Sequence, residues 1–263
     1  MIISIIFFLI KLFYCIVTLV VYININFSYV YFDFVDRIDK NQIKIIFELG
    51  SRDLVDAIKL LNCFNNNCKV YAFECNPDAL ATCYATLEGL TEDKKSRLFF
   101  IDNAVSILDG DVTFYPFDLN KYNNIGASSM FKIDFSTRSV NDPDYNLPNP
   151  QKEVKVLGTR LDTFIDRHHI ENIDLMCIDL QGYELNALKS LGSKLNNVKY
   201  IITECSISTT YINGVEFKEL SDYLALYNFK YIRSNKYGSK YPDVTKKYYA
   251  EFDSLFINES LLL

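Results

Sequence analysis

Carboxylates recur at the ends of the short apolar runs in this chain. The first run ends Glu48-Leu49-Gly50-Ser51-Arg52-Asp53, the second Phe73-Glu74-Cys75-Asn76-Pro77 and the third Asp102-Asn103-Ala104. Two later runs end Asp179-Leu180-Gln181-Gly182-Tyr183-Glu184 and Glu204. In open α/β sheets, ligands bind at such carboxyl ends of strands. Gly50 lets the backbone turn tightly against a ligand. Glu74, 26 residues after Glu48, is placed to accept hydrogen bonds from both hydroxyls of a ribose. Together they suit a nucleoside: a nicotinamide dinucleotide or S-adenosylmethionine. The Gly-x-Gly-x-x-Gly turn is missing, because Ser51, Arg52, Asp53, Leu54 and Val55 follow Gly50. A pyrophosphate needs close backbone approach and a positive helix N-terminus. The acidic Glu48 and Asp53 suit a cationic ligand better, and the sulfonium of S-adenosylmethionine is cationic. The plain structural alternative is an acidic strand end, with Glu74 capping the next helix.

Other chemistries find less support. No Gly-x-Ser-x-Gly, His-Glu-x-x-His or P-loop pattern is present, so hydrolase and nucleotidase readings have no motif. The two histidines, His168 and His169, adjoin an expected helix end, where a cation is favoured structurally. The seven cysteines are odd in number, irregularly spaced and without a CxxC pair, which reads as a reduced protein rather than a zinc site. Asp174 and Asp179, five residues apart on a strand, point to opposite faces, which disfavours a divalent-metal pair. No metal ligands are assigned.

The elements that must position these residues alternate. Residues 44–49, 69–73 and 98–103 read as buried strands, with helices over 54–64 and 78–90 between them. An extra strand over 112–115 follows the Asp109-Gly110-Asp111 turn. Residues 134–153, polar and with Pro143, Pro148 and Pro150, form a long irregular loop suited to a lid or binding segment. Helices over 162–169, 184–195 and 217–226 then alternate with strands over 173–179, 200–205, 229–233 and 254–257. Strand–helix alternation of this kind predicts one α/β domain with a parallel sheet.

The order of these pieces resembles the FkbM-type family of S-adenosylmethionine-dependent methyltransferases. The likeness runs over roughly residues 45–258. It is carried by Phe47-Glu48-Leu49-Gly50-Ser51-Arg52-Asp53, Tyr71-Ala72-Phe73-Glu74-Cys75-Asn76-Pro77, Asn103-Ala104-Val105-Ser106, Gly126-Ala127-Ser128-Ser129-Met130, Arg160-Leu161-Asp162-Thr163-Phe164, Ile178-Asp179-Leu180-Gln181-Gly182-Tyr183-Glu184 and Ile202-Thr203-Glu204. The resemblance implies a Rossmann-like class I methyltransferase fold: a mostly parallel seven-stranded sheet with helices on both faces. It also implies methyl transfer, typically to a hydroxyl oxygen, with S-adenosylmethionine as cofactor. By matching positions, Glu48, Gly50 and Ser51 line the methionine side of the cofactor. Glu74 holds the ribose, Asp102 or Asn103 faces the adenine, and Asp179 lies near the transferable methyl. Ser128 and Ser129 contact cofactor or substrate, or form a plain turn. In-line methyl transfer relies mainly on proximity and alignment, and a hydroxyl acceptor gains from a carboxylate that takes its proton. Asp179 is the first candidate base, followed by Glu204 and Glu184; a helix N-cap is the alternative role for Asp179. Three positions depart from the family pattern: Glu48 replaces the commoner Asp, Leu54 replaces a glycine, and Gln181 replaces a frequent Glu and so is not assigned as acid or base. A non-catalytic nucleoside-binding module of the same fold, and a nicotinamide-dependent oxidoreductase, are the competing functions.

Residues 2–23 are apolar apart from Lys11. As a helix they span about 33 Å, enough for a bilayer core of ~30 Å. The division expected is an N-terminal segment, 1–32, that serves as a membrane anchor, and a methyltransferase-like domain, 33–263. Arg37, Lys40 and Lys44 follow the segment, which places the domain on the cytosolic side; without anchoring the protein is soluble and cytoplasmic. The charge sum, 27 − 33 = −6, disfavours a nucleic-acid partner. A small-molecule or glycan acceptor is expected instead.

Overall fold

In a computed structural model, residues 30–64, 67–122, 124–135, 150–245 and 249–262 are described. Seven strands form the main sheet: β1 (Ile45–Leu49), β2 (Lys69–Phe73), β3 (Leu98–Ile101), β7 (Ile173–Ile178), β8 (Val198–Ser206), β9 (Phe229–Ser234) and β10 (Glu251–Asn258). Their spatial order is β3-β2-β1-β7-β8-β10-β9. All pairs are parallel except those of β10, which runs antiparallel to β8 and β9. This is the sheet expected of a class I methyltransferase. Beside it lies a small sheet of β4 (Ala104–Val105), β5 (Gly110–Phe114) and β6 (Val154–Thr159), in the order β4-β6-β5.

Helices cover both faces because each strand is apolar on both. On one side, Ile46 and Val70 pack under α1 (Val55–Cys63), α2 (Pro77–Glu88) and an N-terminal 3-10 turn (Val30–Arg37) that buries Tyr31, Phe34 and Val35. On the other, Phe47, Phe73 and Met176 pack under α4 (Leu161–Arg167), α5 (Glu184–Ser190) and α6 (Phe217–Ala225). A short helix, α3 (Glu92–Lys95), precedes β3. His168 stacks on Phe164, with ring centroids 4.2 Å apart, a packing role.

The chain builds outward from β1 to β3, then returns to place β7 on the other side of β1. The strand order therefore reverses between β1 and β7, where such sheets bind ligands. Register fixes which side chains reach that point. Glu48 is level with Ala72 and Cys177, and Leu49 with Phe73 and Ile178. The residues just past the strands, Gly50, Glu74 and Asp179, thus emerge together.

Two local differences from the sequence expectation have simple causes. The Val-Lys-Val-Leu alternation of β6 directly follows the proline-rich run and was hidden by it. The helix expected over 184–195 ends at Ser190, and a 3-10 turn (Gly192–Asn197) carries the chain on through Gly192, which has φ +52°. The loop expected over 134–153 lies mostly outside the described residues, as does the apolar segment 2–23. Among the described residues, no helix is long and apolar enough to cross a membrane.

Candidate active site

A cleft opens at the switch point, lined by the residues that follow β1, β2 and β7. Gly50 forms its floor with φ +92°, and a Cβ there would stand 1.9 Å from the Asp179 carbonyl oxygen. No other residue lets β1 and β7 approach so closely. The turn continues through Arg52 and Leu54, both in the left-handed region at φ +53° and +65°. Leu54 thus keeps the backbone shape a glycine would give and buries its side chain in the core. Packing offsets a conformational cost of about 1–2 kcal/mol.

Glu74 closes one side. Its carboxylate accepts from the backbone N–H groups of Arg52 (2.8 Å), Cys75 (2.8 Å) and Asn76 (2.6 Å). It therefore ties the ends of β1 and β2 together and does not cap α2; Asn76 is the cap, accepting from Asp78 N–H. Three of the roughly four acceptor positions of the carboxylate are used, which leaves one on Oε2 for a ligand hydroxyl. Burial pushes this group above the ordinary carboxylate range, and the three N–H bonds oppose that rise. Beyond it, Asn103, Ala104, Phe114 and Met130 make a flat, mostly apolar wall. Ser128 forms part of the roof: its hydroxyl accepts from Asn76 Nδ2 at 3.2 Å.

Asp179 lines the opposite side of the cleft with Leu180 and Gln181. Its backbone N–H donates to the Leu49 carbonyl, which continues the β1–β7 ladder past the strand end. Asp179 does not cap α5. The following loop is held by Glu184, whose Oε1 accepts from Leu180 N–H (2.9 Å) and Gly182 N–H (3.1 Å). Burial raises Glu184 to about 7. Glu204, at the end of β8, lines a smaller cavity behind the cleft together with Glu184, Tyr211 and Glu251. Burial and then the neighbouring Asp179, Glu251 and Glu184 push Glu204 well up. Asp179, Glu184 and Glu204 each offer an oxygen within 4.8 Å of the others. Between two of them stands the Gln181 amide nitrogen, 2.7 Å from Asp179 and 3.0 Å from Glu204. It supplies by hydrogen bonding what a cation would supply by charge.

Of the residues expected at the site, Gly50, Glu74, Asn103 and Asp179 line the cleft. The other six lie elsewhere in the structure. Glu48 and Ser51 do not line it: the Ser51 hydroxyl donates to Glu48, and both are buried on the face covered by α1 and α2, because Glu48 shares the parity of Ile46 rather than of Leu49. Asp102 is exposed and accepts from the Tyr84 hydroxyl at 2.7 Å, outside the cleft. Ser129 turns beneath the roof and donates to the Gln181 carbonyl at 2.8 Å, leaving Ser128 as the lining serine. Glu204 lies behind Gln181, and Glu184 serves the loop. Arg52, Asn76, Gln181 and Tyr211 were not expected as site residues. Gln181 carried a signal in its departure from the family pattern, whereas Tyr211 carried none.

The strand order defines a Rossmann-like class I methyltransferase fold, with the cleft at its switch point. The chain belongs to the family described as the methyltransferase FkbM domain, whose model matches residues 57–231. It is a methyltransferase, and S-adenosylmethionine is its methyl donor. The chain is 25% identical over 182 residues to the 2-O-methyltransferase NoeI of Sinorhizobium fredii (strain NBRC 101917 / NGR234), covering 68% of this chain and 70% of that protein. Among solved structures, M. capricolum TrmK in complex with S-adenosyl-homocysteine is 16% identical with a TM-score of 0.47, over 88% of this chain and 69% of that one. The methyltransferase FkbM from Methylobacillus flagellatus KT is 13% identical with a TM-score of 0.48, over 84% of this chain and 44% of that one.

Proposed function

We propose that this chain methylates a hydroxyl oxygen of a saccharide or small metabolite. The observation that carries the reading is the pairing of Glu74 and Asp179 across one cleft, a ribose-type acceptor facing a carboxylate. The donor set fits the cofactor: Glu74 keeps an acceptor position for a ribose hydroxyl, the Ala104–Phe114–Met130 wall suits a flat base, and Asp179 suits a cation. When bound, S-adenosylmethionine supplies an electrophilic methyl group on a positively charged sulfur. Asp179 lines the cleft, accepts from Gln181 at Oδ1, and is the carboxylate that takes the proton of an acceptor hydroxyl. The 2-O-methyltransferase relative supports oxygen as the acceptor atom. Within the same proposal, the apolar segment 2–23 attaches the domain to a membrane, which fractionation of the full chain would test.

The deciding experiment is calorimetric titration of the full chain with S-adenosylmethionine, with Glu74→Ala in parallel. The variant should bind at least tenfold more weakly, about 1.4 kcal/mol. A labelled methyl group should then appear as an ether on members of a glycan and hydroxy-metabolite panel. Label on nitrogen or carbon would replace the hydroxyl reading. Tight binding with no transfer to any acceptor would favour a binding module.

A further inference from the structure

The side chain of Gln181 has a partner for each of its polar groups. Its amide nitrogen meets Asp179 Oδ1 at 2.7 Å and Glu204 Oε2 at 3.0 Å, and its amide oxygen meets the Tyr211 hydroxyl at 2.7 Å. The assignment of nitrogen and oxygen follows from the partners: the Tyr211 phenol donates to the amide oxygen, which leaves the amide nitrogen toward the carboxyl oxygens. The Tyr211 hydroxyl is itself placed by the Ala127 carbonyl at 3.0 Å, and the Gln181 carbonyl takes the Ser129 hydroxyl. The backbone of Gln181 is left-handed, φ +55°, a conformation that turns the side chain back toward Asp179. Three side chains thus hold the amide, and Ser129 holds the backbone carbonyl of the same residue.

What the amide joins is informative. Asp179 lines the cleft and Glu204 the cavity behind it. Two ionised carboxylates this close repel each other, and one of the two then holds its proton. Glu204 is the one pushed well up, by burial and by its acidic neighbours. The ionisable groups facing the pair are Glu184 on α5, Glu251 and Asp253 on β10, Cys205 on β8, Tyr211 before α6 and Tyr249 before β10, with Glu74 after β2 and Tyr31 in the N-terminal turn facing Asp179. A glutamine supplies a donor to each carboxylate and adds no charge; a glutamate there would add another carboxylate.

We propose that Gln181 is a positioning residue for methyl transfer, bridging Asp179 and Glu204 so that the Asp179 carboxylate is held at the cleft as the single negative charge facing the donor's sulfonium. This rests on the cleft being the S-adenosylmethionine site. The consequence can be measured without knowing the acceptor. S-adenosylmethionine carries the sulfonium charge, whereas S-adenosylhomocysteine is its neutral counterpart, so their affinity ratio reports charge at Asp179.

The test is calorimetric titration of the full-length wild type, Gln181→Met and Tyr211→Phe with both compounds, at about pH 6 and about pH 8.5. Gln181→Met keeps the side-chain length and removes both donors, so Asp179 draws in a proton. The variant should bind S-adenosylmethionine roughly tenfold more weakly and S-adenosylhomocysteine within about twofold of wild type, with part of the lost preference returning at the higher pH. Tyr211→Phe, which releases the far end of the amide together with the Ala127 carbonyl, should shift the ratio in the same direction by roughly threefold; it carries the test alone if Gln181→Met does not fold. Equal weakening of both compounds, or an unchanged ratio in either folded variant, would overturn the proposal and leave Gln181 a structural residue. Failure of folded wild type to bind either compound would instead overturn the cofactor site, and this proposal with it.

Discussion

Glu48 is a carboxyl group inside an apolar layer, with the Ser51 hydroxyl as its hydrogen-bond donor. Burial raises it from 4.5 to about 8, and the Ser51 bond opposes the rise. The folded chain therefore keeps a proton that the unfolded chain releases from pH 4.5 upward. The protonated group's contribution is complete below about pH 4.5 and is lost as pH rises through about 8, by up to ~1.4 kcal/mol per pH unit. Glu48→Gln cannot ionise. Urea unfolding should show it gaining on wild type as pH rises from about 5 to about 8.5; an equal difference at both values would mean that Glu48 is ionised in the fold. Gly50→Ala tests the opposite kind of constraint. Its Cβ would meet the Asp179 carbonyl oxygen at 1.9 Å in a backbone conformation that alanine resists. A loss of at least ~2 kcal/mol is expected from strain alone. An alanine variant as stable as wild type would show that the β1 and β7 ends are not in tight contact.

At the scale of elements, the Val30–Arg37 turn is short but closes one face of the sheet. Phe34 has no exposed surface, and Tyr31 and Val35 are buried beside it. Removing the Phe34 ring should cost about 3–5 kcal/mol, read as a lower urea midpoint for Phe34→Ala. A change below ~1 kcal/mol would mean that the turn rests loosely on the sheet. The turn was not legible as an element, because eight residues hold too few periods to show a pattern against an already apolar background. The long-period elements were legible: α1, α2, α6 and the strands of the main sheet fell near their expected bounds, since each carries an apolar run or stripe punctuated by Gly, Pro or Asn. The strand β6 was not, because its partners β4 and β5 lie some 45 residues away in sequence and local composition does not announce them.

At the scale of the whole molecule, the cleft draws on β1, β2, β7 and the roof before Met130, so a ligand there links segments far apart in sequence. Saturating S-adenosylmethionine at a hundredfold over its Kd should stabilise the fold by about 2.7 kcal/mol. For a domain of this size that is roughly 5–10 °C in Tm. The ligand-induced Tm shift of Glu74→Ala should be about half that of wild type or less at equal ligand, since tenfold weaker binding leaves about 1.4 kcal/mol; equal shifts would remove Glu74 from the ligand site.

Sequence alone determined the alternation that builds the parallel sheet, the family, and the residues that terminate its strands, because strand ends are written locally as apolar runs meeting Gly50, Glu74 and Asp179. It could not assign those residues to the cleft or to the core. Glu48 and Gly50 stand two positions apart, yet one is sealed under α1 and α2 while the other lines the cleft, a matter of register and of the turn at φ +92°. Gln181 and Glu204, 23 residues apart in sequence, meet at 3.0 Å only because β7 and β8 lie side by side. Tyr211 reaches the same amide from a loop with no motif of its own. Hydrogen bonds between distant segments depend on how the strands are ordered, and that order is decided by packing the whole sheet at once.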